Sequence, residues 1–369
     1  MDLVLQQLAS QVMQAVADKK PVLIRGGNTK AFYGNPVSND VSRSAVVLDT
    51  RAYSGIVSYE PSEMVITARC GTKLSDLQAV LQEQGQMLAW EPPHFGADAT
   101  LGGTIASGLS GPRRMSTGSA RDFVLGTKYL NASGQTLDFG GEVIKNVAGY
   151  DVSRLLAGSM GIFGVILDVS IRVLPLPRIE KTLAHGCTRA QAIAFCNQWR
   201  GQPLPISASA WEQDISHPER GVMYTRLSGA ETAVNRAAGE LVGDLIDDGA
   251  AALFWRSIRE QTHAFFAQDT IWRLALPAAA PALELGPTLE EWGGTQRWVA
   301  GPVDGVQIRQ TALRLGGHAT LFRYPDSSCV PQDGVFQPLA AEVLEITRRL
   351  KHALDPARVF NPGRLIYAI

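Results

Sequence analysis

Leu5, Leu8, Val12 and Val16 recur at three- and four-residue spacing, which predicts an amphipathic helix over 3–17. The period then changes. Pro21-Val22-Leu23-Ile24-Arg25 is a short continuous apolar run and reads as a buried strand, with second and third strands over 45–49 and 64–68. Ser75 and Gln78 stand at capping-box spacing, opening a helix with Leu77, Val80 and Leu81 inward and Gly85 at its stop. The first 85 residues thus read as a small α/β layer. Residues 86–175 turn to glycine and short strands, and the alternation over 167–173 predicts a half-buried antiparallel strand. Pro175-Leu176-Pro177 breaks the pattern and marks a domain boundary. Beyond it, helices are predicted over 188–199, with Ala192, Phe195, Cys196 and Trp199 on one side, and over 232–245. Residues 277–287 read as a loop and 339–354 as a basic amphipathic helix.

Four glycine clusters stand out from this frame: Arg25-Gly26-Gly27-Asn28, Gly102-Gly103-Thr104, Lys145 to Asp151 around Gly149, and Gly158-Ser159-Met160-Gly161-Ile162-Phe163-Gly164. Glycine lets main chain approach a ligand and turn its N–H groups outward. One such cluster is most simply a tight turn. Four in one domain point to a large ligand held along its length with a diphosphate in the middle, and the reading is FAD. Rival motifs are missing: there is no G-x-G-x-x-G behind a strand, no P-loop, no H-E-x-x-H and no G-x-S-x-G.

Composition narrows the class. The chain has 369 residues, 45% hydrophobic and 19% charged, with net charge −1, so it carries no basic surplus for nucleic acid or anionic lipid. Its start lacks the pattern of a signal peptide, and no 18-residue uncharged apolar run occurs. A cytoplasmic protein is expected, with any attachment to the inner membrane peripheral or through a partner. Cys70, Cys187, Cys196 and Cys329 are scattered, and the six histidines are far apart, so no metal or iron–sulfur motif is expected.

The glycine segments resemble the FAD-binding domain of the PCMH-type flavoproteins of the vanillyl-alcohol-oxidase superfamily. The stretches that carry the resemblance are Arg25-Gly26-Gly27-Asn28-Thr29-Lys30, Pro92-Pro93-His94, Thr100-Leu101-Gly102-Gly103-Thr104-Ile105-Ala106-Ser107 and Gly161-Ile162-Phe163-Gly164-Val165-Ile166. With them go Gly118, residues 121–126, residues 145–151 and the closing Asn361-Pro362-Gly363. The resemblance implies an α+β fold: a two-subdomain FAD-binding domain over 1–177, a smaller α+β cap over 178–345, and a tail over 346–369 that returns to the first domain. It implies FAD contacts at Arg25, Gly26, Gly27, Asn28, Thr29, Lys30, Pro93, His94, Thr100, Leu101, Gly102, Gly103, Thr104, Ser107, Gly161, Ile162, Gly164, Val165, Ile166 and Asn361.

Within that superfamily, residues 141–151, Gly111-Pro112-Arg113-Arg114, Glu91-Pro92-Pro93-His94 and residues 355–364 look like the E-type FAD-binding subunit family of bacterial glycolate oxidase. That likeness implies a complex with a sister D-type flavoprotein and a cysteine-rich iron–sulfur F-type subunit, oxidising glycolate to glyoxylate by hydride transfer to flavin. Two departures matter. Relatives with covalent flavin have histidine in the first loop where this chain has Asn28, so FAD is expected to be non-covalent. Catalytic D-type relatives carry G-H-x-G-D-G-N-x-H, whereas Gly317-His318-Ala319-Thr320 keeps one histidine and no metal set. Catalytic residues are therefore left unassigned. Arg113-Arg114 stand as a carboxylate clamp, a solvated pair or a docking point. The rival function is a non-catalytic FAD relay or assembly subunit.

Overall fold

The computed structural model describes residues 2–141, 151–367 and 369. The part of the third glycine cluster over 145–150 lies outside them. α1 (Leu3–Ala17) starts where the Asp2 side chain accepts the Val4 N–H, and it buries Leu8, Ala9, Val12 and Ala15. β1 (Val22–Arg25), a short α2 (Asn39–Ser44) and β2 (Val46–Asp49) follow, with β1 and β2 pairing in parallel. The other flank of β1 is taken by the chain's end: Val22 N–H donates to the Val359 carbonyl at 2.7 Å, and Asn361 N–H to the Val22 carbonyl at 2.9 Å. Both strands are less covered than the apolar runs predict. Only Val22 in β1 and Leu48 in β2 are buried, because this two-stranded sheet leaves one face open.

The chain next forms β3 (Ile56–Glu60), absent from the sequence reading, and β4 (Val65–Arg69), the predicted third strand. α3 (Leu74–Glu83) leads to β5 (Gln86–Met87), and three short helices follow: α4 (Leu101–Ser107), α5 (Arg114–Thr117) and α6 (Ala120–Phe123). The capping box at Ser75 does not form. α3 begins at Leu74 with Lys73 at its N-cap, and Gln78 turns its side chain to His94 instead. Then come β6 (Val124–Leu130), β7 (Thr136–Gly140), α7 (Val152–Leu156), β8 (Val165–Arg172) and β9 (Leu174–Pro175), which pairs with β5. The resulting five-stranded sheet runs β3-β4-β8-β6-β7, every pair antiparallel. β8 is antiparallel as predicted but central, so seven of its eight residues are buried rather than every second one.

A second sheet of eight strands begins at β10 (Ile179–Thr188). α8 (Arg189–Arg200) falls where the helix over 188–199 was predicted, is capped by Thr188, and packs Ala192, Phe195, Cys196 and Trp199 together. β11 (Ile206–Gln213), β12 (Arg220–Gly229), α9 (Glu231–Glu240), β13 (Asp244–Leu245) and α10 (Asp248–Glu260) follow. The helix predicted over 232–245 thus stops at Glu240, and α10 was not read from the sequence. β14 (Ile271–Ala275), β15 (Thr288–Glu291), β16 (Gln296–Ala300), α11 (Gly305–Arg314) and β17 (His318–Arg323) complete the sheet, in order β13-β10-β12-β11-β15-β16-β14-β17.

Antiparallel register sorts this sheet's side chains into two faces. Glu180, Arg226, Glu291, Gln296, Trp298 and Arg273 share one face, a mostly polar surface. On the other, Trp272, Leu274, Val299 and Leu321 form a core with Ile308 and Ala312 of α11. Finally α12 (Ala341–Leu354) returns to the first sheet's core, where Lys351 is buried and bonds Asp355 at 2.7 Å and the Phe360 carbonyl at 2.9 Å. No helix among the described residues is long and apolar enough to cross a membrane.

Candidate FAD-binding site

β1 runs out into Gly26, where the strand pairing ends. From there to Lys30 the backbone N–H groups have no acceptor among the described residues. Behind this loop lies the segment before α4: a Cβ on Gly27 would stand 1.4 Å from the Asp98 carbonyl oxygen, so only glycine lets the loop sit so close. Asn28 has φ +60°, a conformation asparagine tolerates better than most residues. The loop's front opens onto a cleft of about 1130 Å³, counting its mouth.

Gly102 and Gly103 were read as a loop, but they lie in the first turn of α4, where Thr100 caps the helix and accepts the Gly103 N–H at 3.4 Å. Gly102 N–H donates to the Cys70 carbonyl at 2.8 Å, which seats the helix start on the sheet. The third wall is the 160–166 segment. Asn361 Oδ1 accepts the Ile24 N–H at 2.9 Å, while its Nδ2 donates to the Met160 carbonyl at 2.7 Å. One tail side chain therefore holds the strand and the third wall at a fixed separation. Gly161 has φ +72° and would place a Cβ 2.7 Å from Asn361 Nδ2.

Of the residues predicted from the resemblance, Arg25, Gly26, Gly27, Asn28, Thr29, Lys30, Thr100, Gly102, Gly103, Ser107, Gly161, Gly164, Ile166 and Asn361 come together on this one cleft. The others do not line it. Leu101, Ile162 and Val165 are fully buried in the core. Thr104 is buried on the core side of α4, with its hydroxyl unpartnered. Pro93 lines a smaller cavity nearby, and His94 bonds Gln78 through Nε2 at 2.8 Å. Sequence reasoning missed Thr50, Cys70, Met160 and Arg364 as wall residues. Of these, Thr50 and Cys70 follow directly on β2 and β4, and nothing local in their sequence marks them.

Lys30 brings a cation to the wall of the cleft. The Lys30 ammonium is lowered to about 8 by burial, with Glu260 opposing the shift. Its Nζ has the His94 carbonyl at 3.3 Å and stands 5.8 Å from the Phe95 ring centre. Glu260 also accepts the N–H groups of His94 and Phe95, at 3.0 and 2.9 Å, and so ties that loop to the end of α10. Burial lowers the His94 pKa as well, keeping the ring neutral near pH 7. A cluster of free backbone donors beside a half-buried cation suits a ligand carrying a diphosphate.

Arg113 is not available as a carboxylate clamp. Its guanidinium bonds Glu91 at 3.3 Å and also Glu180, while Glu91 accepts Arg226 at 2.9 Å. Burial would raise the Glu91 carboxyl, but Arg226 and Arg113 outweigh it and hold the pKa below the usual range. This network joins the first domain's Glu91-Arg113 pair to β10 and β12 of the second sheet. Arg114 is exposed and lies 4.4 Å from the Trp292 ring centre. His318 is exposed at the start of β17, and its pKa is lowered by desolvation and by Arg273 and Arg114.

The family profile described as FAD binding domain matches residues 5–140. Glycolate oxidase subunit GlcE of Escherichia coli (strain K12) is 45% identical over 362 residues, covering 98% of this chain and 97% of that protein. This chain belongs to the GlcE family. As a member it is an FAD-binding flavoprotein of the oxidoreductase class, with the PCMH-type fold. Glycolate oxidase subunit GlcD of Bacillus subtilis (strain 168) is 28% identical over 44% of this chain and 34% of its own length. D-lactate dehydrogenase of Archaeoglobus fulgidus is 33% identical over 44% of this chain and 35% of its own. These two matches span about a third of each relative. A solved structure of alkyldihydroxyacetonephosphate synthase superposes with TM-score 0.67 at 16% identity, over 97% of this chain and 75% of that one, a likeness of fold.

Proposed function

We propose that the chain is the FAD-carrying E-type subunit of a glycolate dehydrogenase complex, working with a D-type flavoprotein and a cysteine-rich iron–sulfur F-type subunit. The observation that supports this most is the end-to-end match to GlcE, which includes the cap as well as the cofactor domain. We divide the chain into a cofactor domain over 1–177, a cap over 178–345 and a tail over 346–369, in keeping with the break between the two sheets after Arg172. The complex works in the cytoplasm or at the inner face of the membrane through its partners.

FAD would be held without a covalent bond by the Gly26–Lys30 donors, by α4 and by the 160–166 wall. Bound there, it supplies the acceptor for the hydride leaving the α-carbon of glycolate and a relay of single electrons to the partner. The chain's own part is to neutralise the diphosphate, fix the cofactor against the tail and keep water from the domain interface. An iron–sulfur centre needs a set of cysteines. Here Cys70 is buried in the first core, Cys187 and Cys196 lie in another, and Cys329 is exposed, so the electrons pass to another subunit.

The second reading, a relay without substrate chemistry, is favoured by the solitary His318. Anaerobic glycolate added to the purified chain separates them. Bleaching of the flavin's visible absorbance supports hydride transfer on this subunit. A flavin that stays oxidised until the D-type partner is added supports the relay, and a chain that takes up no FAD overturns both.

A further inference from the structure

The third wall of the cleft is held from behind as well as by Asn361. Where Asn361 takes the Met160 carbonyl, Lys351 Nζ donates to the Ile162 carbonyl and the Tyr129 hydroxyl donates to that of Phe163. Both side chains are buried, Lys351 on α12 at 2% exposed and Tyr129 on β6 at 1%. The Tyr129 oxygen also stands 3.2 Å from the Leu354 carbonyl at the end of α12. Asp355 at 2.7 Å and the Phe360 carbonyl at 2.9 Å take the other two donors of Lys351.

A buried ammonium is costly, and an apolar side chain would fill the same place without that cost. Burial lowers the Lys351 pKa, and Asp355 opposes the shift. What Lys351 adds is direction. A trans peptide is planar, with its C=O and N–H pointing opposite ways, and no cis bond occurs among the described residues. Fixing the Ile162 carbonyl toward Lys351 therefore turns the Phe163 N–H away from it. Fixing the Phe163 carbonyl toward Tyr129 does the same for the Gly164 N–H. Neither N–H has an acceptor among the described residues, and Gly164 lines the cleft. The wall sits tightly on its support: a Cβ on Gly164 would stand 2.3 Å from the Tyr129 ring.

We propose that Lys351 and Tyr129 are positioning residues for the cofactor, gripping the Ile162 and Phe163 carbonyls so that the wall offers the next two N–H groups to FAD. The inference rests on the reading of this cleft as the FAD site. Asp355 serves the same end. It balances the charge of Lys351, and it accepts the Val359 and Phe360 N–H groups at 3.2 and 3.0 Å, just before Asn361. Tail, α12 and β6 thus meet behind the wall in one polar cluster, and none of its three side chains lines the cleft. Losing a grip on either carbonyl takes donors from the cofactor while leaving the apolar core in place.

The test is titration of the apoprotein with FAD, followed by flavin fluorescence and by the visible circular dichroism of the bound flavin. Tyr129→Phe keeps the ring against Gly164 and removes only the hydroxyl. It should weaken FAD about fivefold and alter the visible dichroism. Lys351→Met should weaken FAD about tenfold or more. Lys351→Met/Asp355→Asn removes both buried charges and keeps an acceptor for the Val359 and Phe360 N–H groups. Its denaturant midpoint should recover from that of Lys351→Met while FAD binding stays weak. Should the Lys351 variants fail to fold, Tyr129→Phe alone decides. A folded Tyr129→Phe variant with wild-type affinity and dichroism overturns the proposal, and so does a double variant whose affinity recovers with its stability. Gly27→Ala tests the cleft itself. If that variant binds FAD as wild type, the cleft is not the site and both readings fall; if it loses FAD while Tyr129→Phe binds normally, only the grip on the wall falls.

Discussion

Asn361 accepts the Ile24 N–H on its side chain at 2.9 Å, across 337 residues of chain. The same side chain reaches Met160, so the last residues of the protein close the cleft that its first strand opens. Asn361→Ala removes two partly buried hydrogen bonds, each worth about 1 kcal/mol, and frees the third wall to drift. Thermal denaturation should show a loss of about 2 kcal/mol, with FAD affinity reduced at least about tenfold. Unchanged affinity in a destabilised variant would separate the tail from the cofactor.

Gly27→Ala acts on the cleft from the other side. Its new Cβ would collide with the Asp98 carbonyl, so the donor loop must lift away from the segment before α4. The rest of the first domain's core does not depend on that contact. The expected outcome is a folded protein by circular dichroism that purifies without yellow colour and recovers little flavin when FAD is added.

Lys30 links cofactor binding to pH. Its ammonium, lowered to about 8, loses its proton above that pH in the free protein, whereas a bound diphosphate favours the charged form. FAD binding should therefore take up a proton around pH 8–9 and weaken as pH rises further. Calorimetry in two buffers of different ionisation enthalpy measures the uptake, and Lys30→Met should abolish it. Uptake that persists in the variant assigns the proton elsewhere.

Two buried carboxyls should act in opposite pH windows. Glu91 is held below its ordinary value, so it stabilises the fold above the unfolded value of about 4.3 and that stability is lost as pH falls through its folded pKa. Removing one of its two arginine partners with Arg226→Met leaves Arg113 as the remaining one and should cost about 1–3 kcal/mol at pH 7. Glu291 runs the other way. The folded protein holds its proton up to about pH 7, so stability declines as pH rises from about 4.3 to 7. Glu291→Gln should flatten that decline and be more stable than wild type at pH 8, on the order of 3 kcal/mol at most. Denaturant midpoints from pH 4 to 9 distinguish the two.

Asn28 predicts how the cofactor leaves. With no histidine at that position, denaturation in acid should release all the flavin into the supernatant as intact FAD. Flavin that stays in the protein pellet would show a covalent bond that the loop does not supply.

Local order was legible from the chain itself. The spacing of Leu8 and Val12 set α1, the helical period over 188–199 set α8, and the order of the glycine segments at 26–27, 102–103 and 161–164 identified the cofactor, because order and spacing are properties of the chain itself. Where side chains answer to distant partners, local rules gave way. Gln78 abandoned the cap for His94, and β8 was buried on both faces because β4 and β6 flank it. Arg113 was drawn into the Glu91 network by strands that lie far along the chain. Amino-acid order by itself determined the cofactor class and most of the elements that line the cleft, since hydrophobic period and glycine placement act over a few residues. Only the tertiary structure decided which of those residues face the cleft and how Asn361 closes it. Those facts depend on sheet register and domain packing, which bring together positions that share no local pattern.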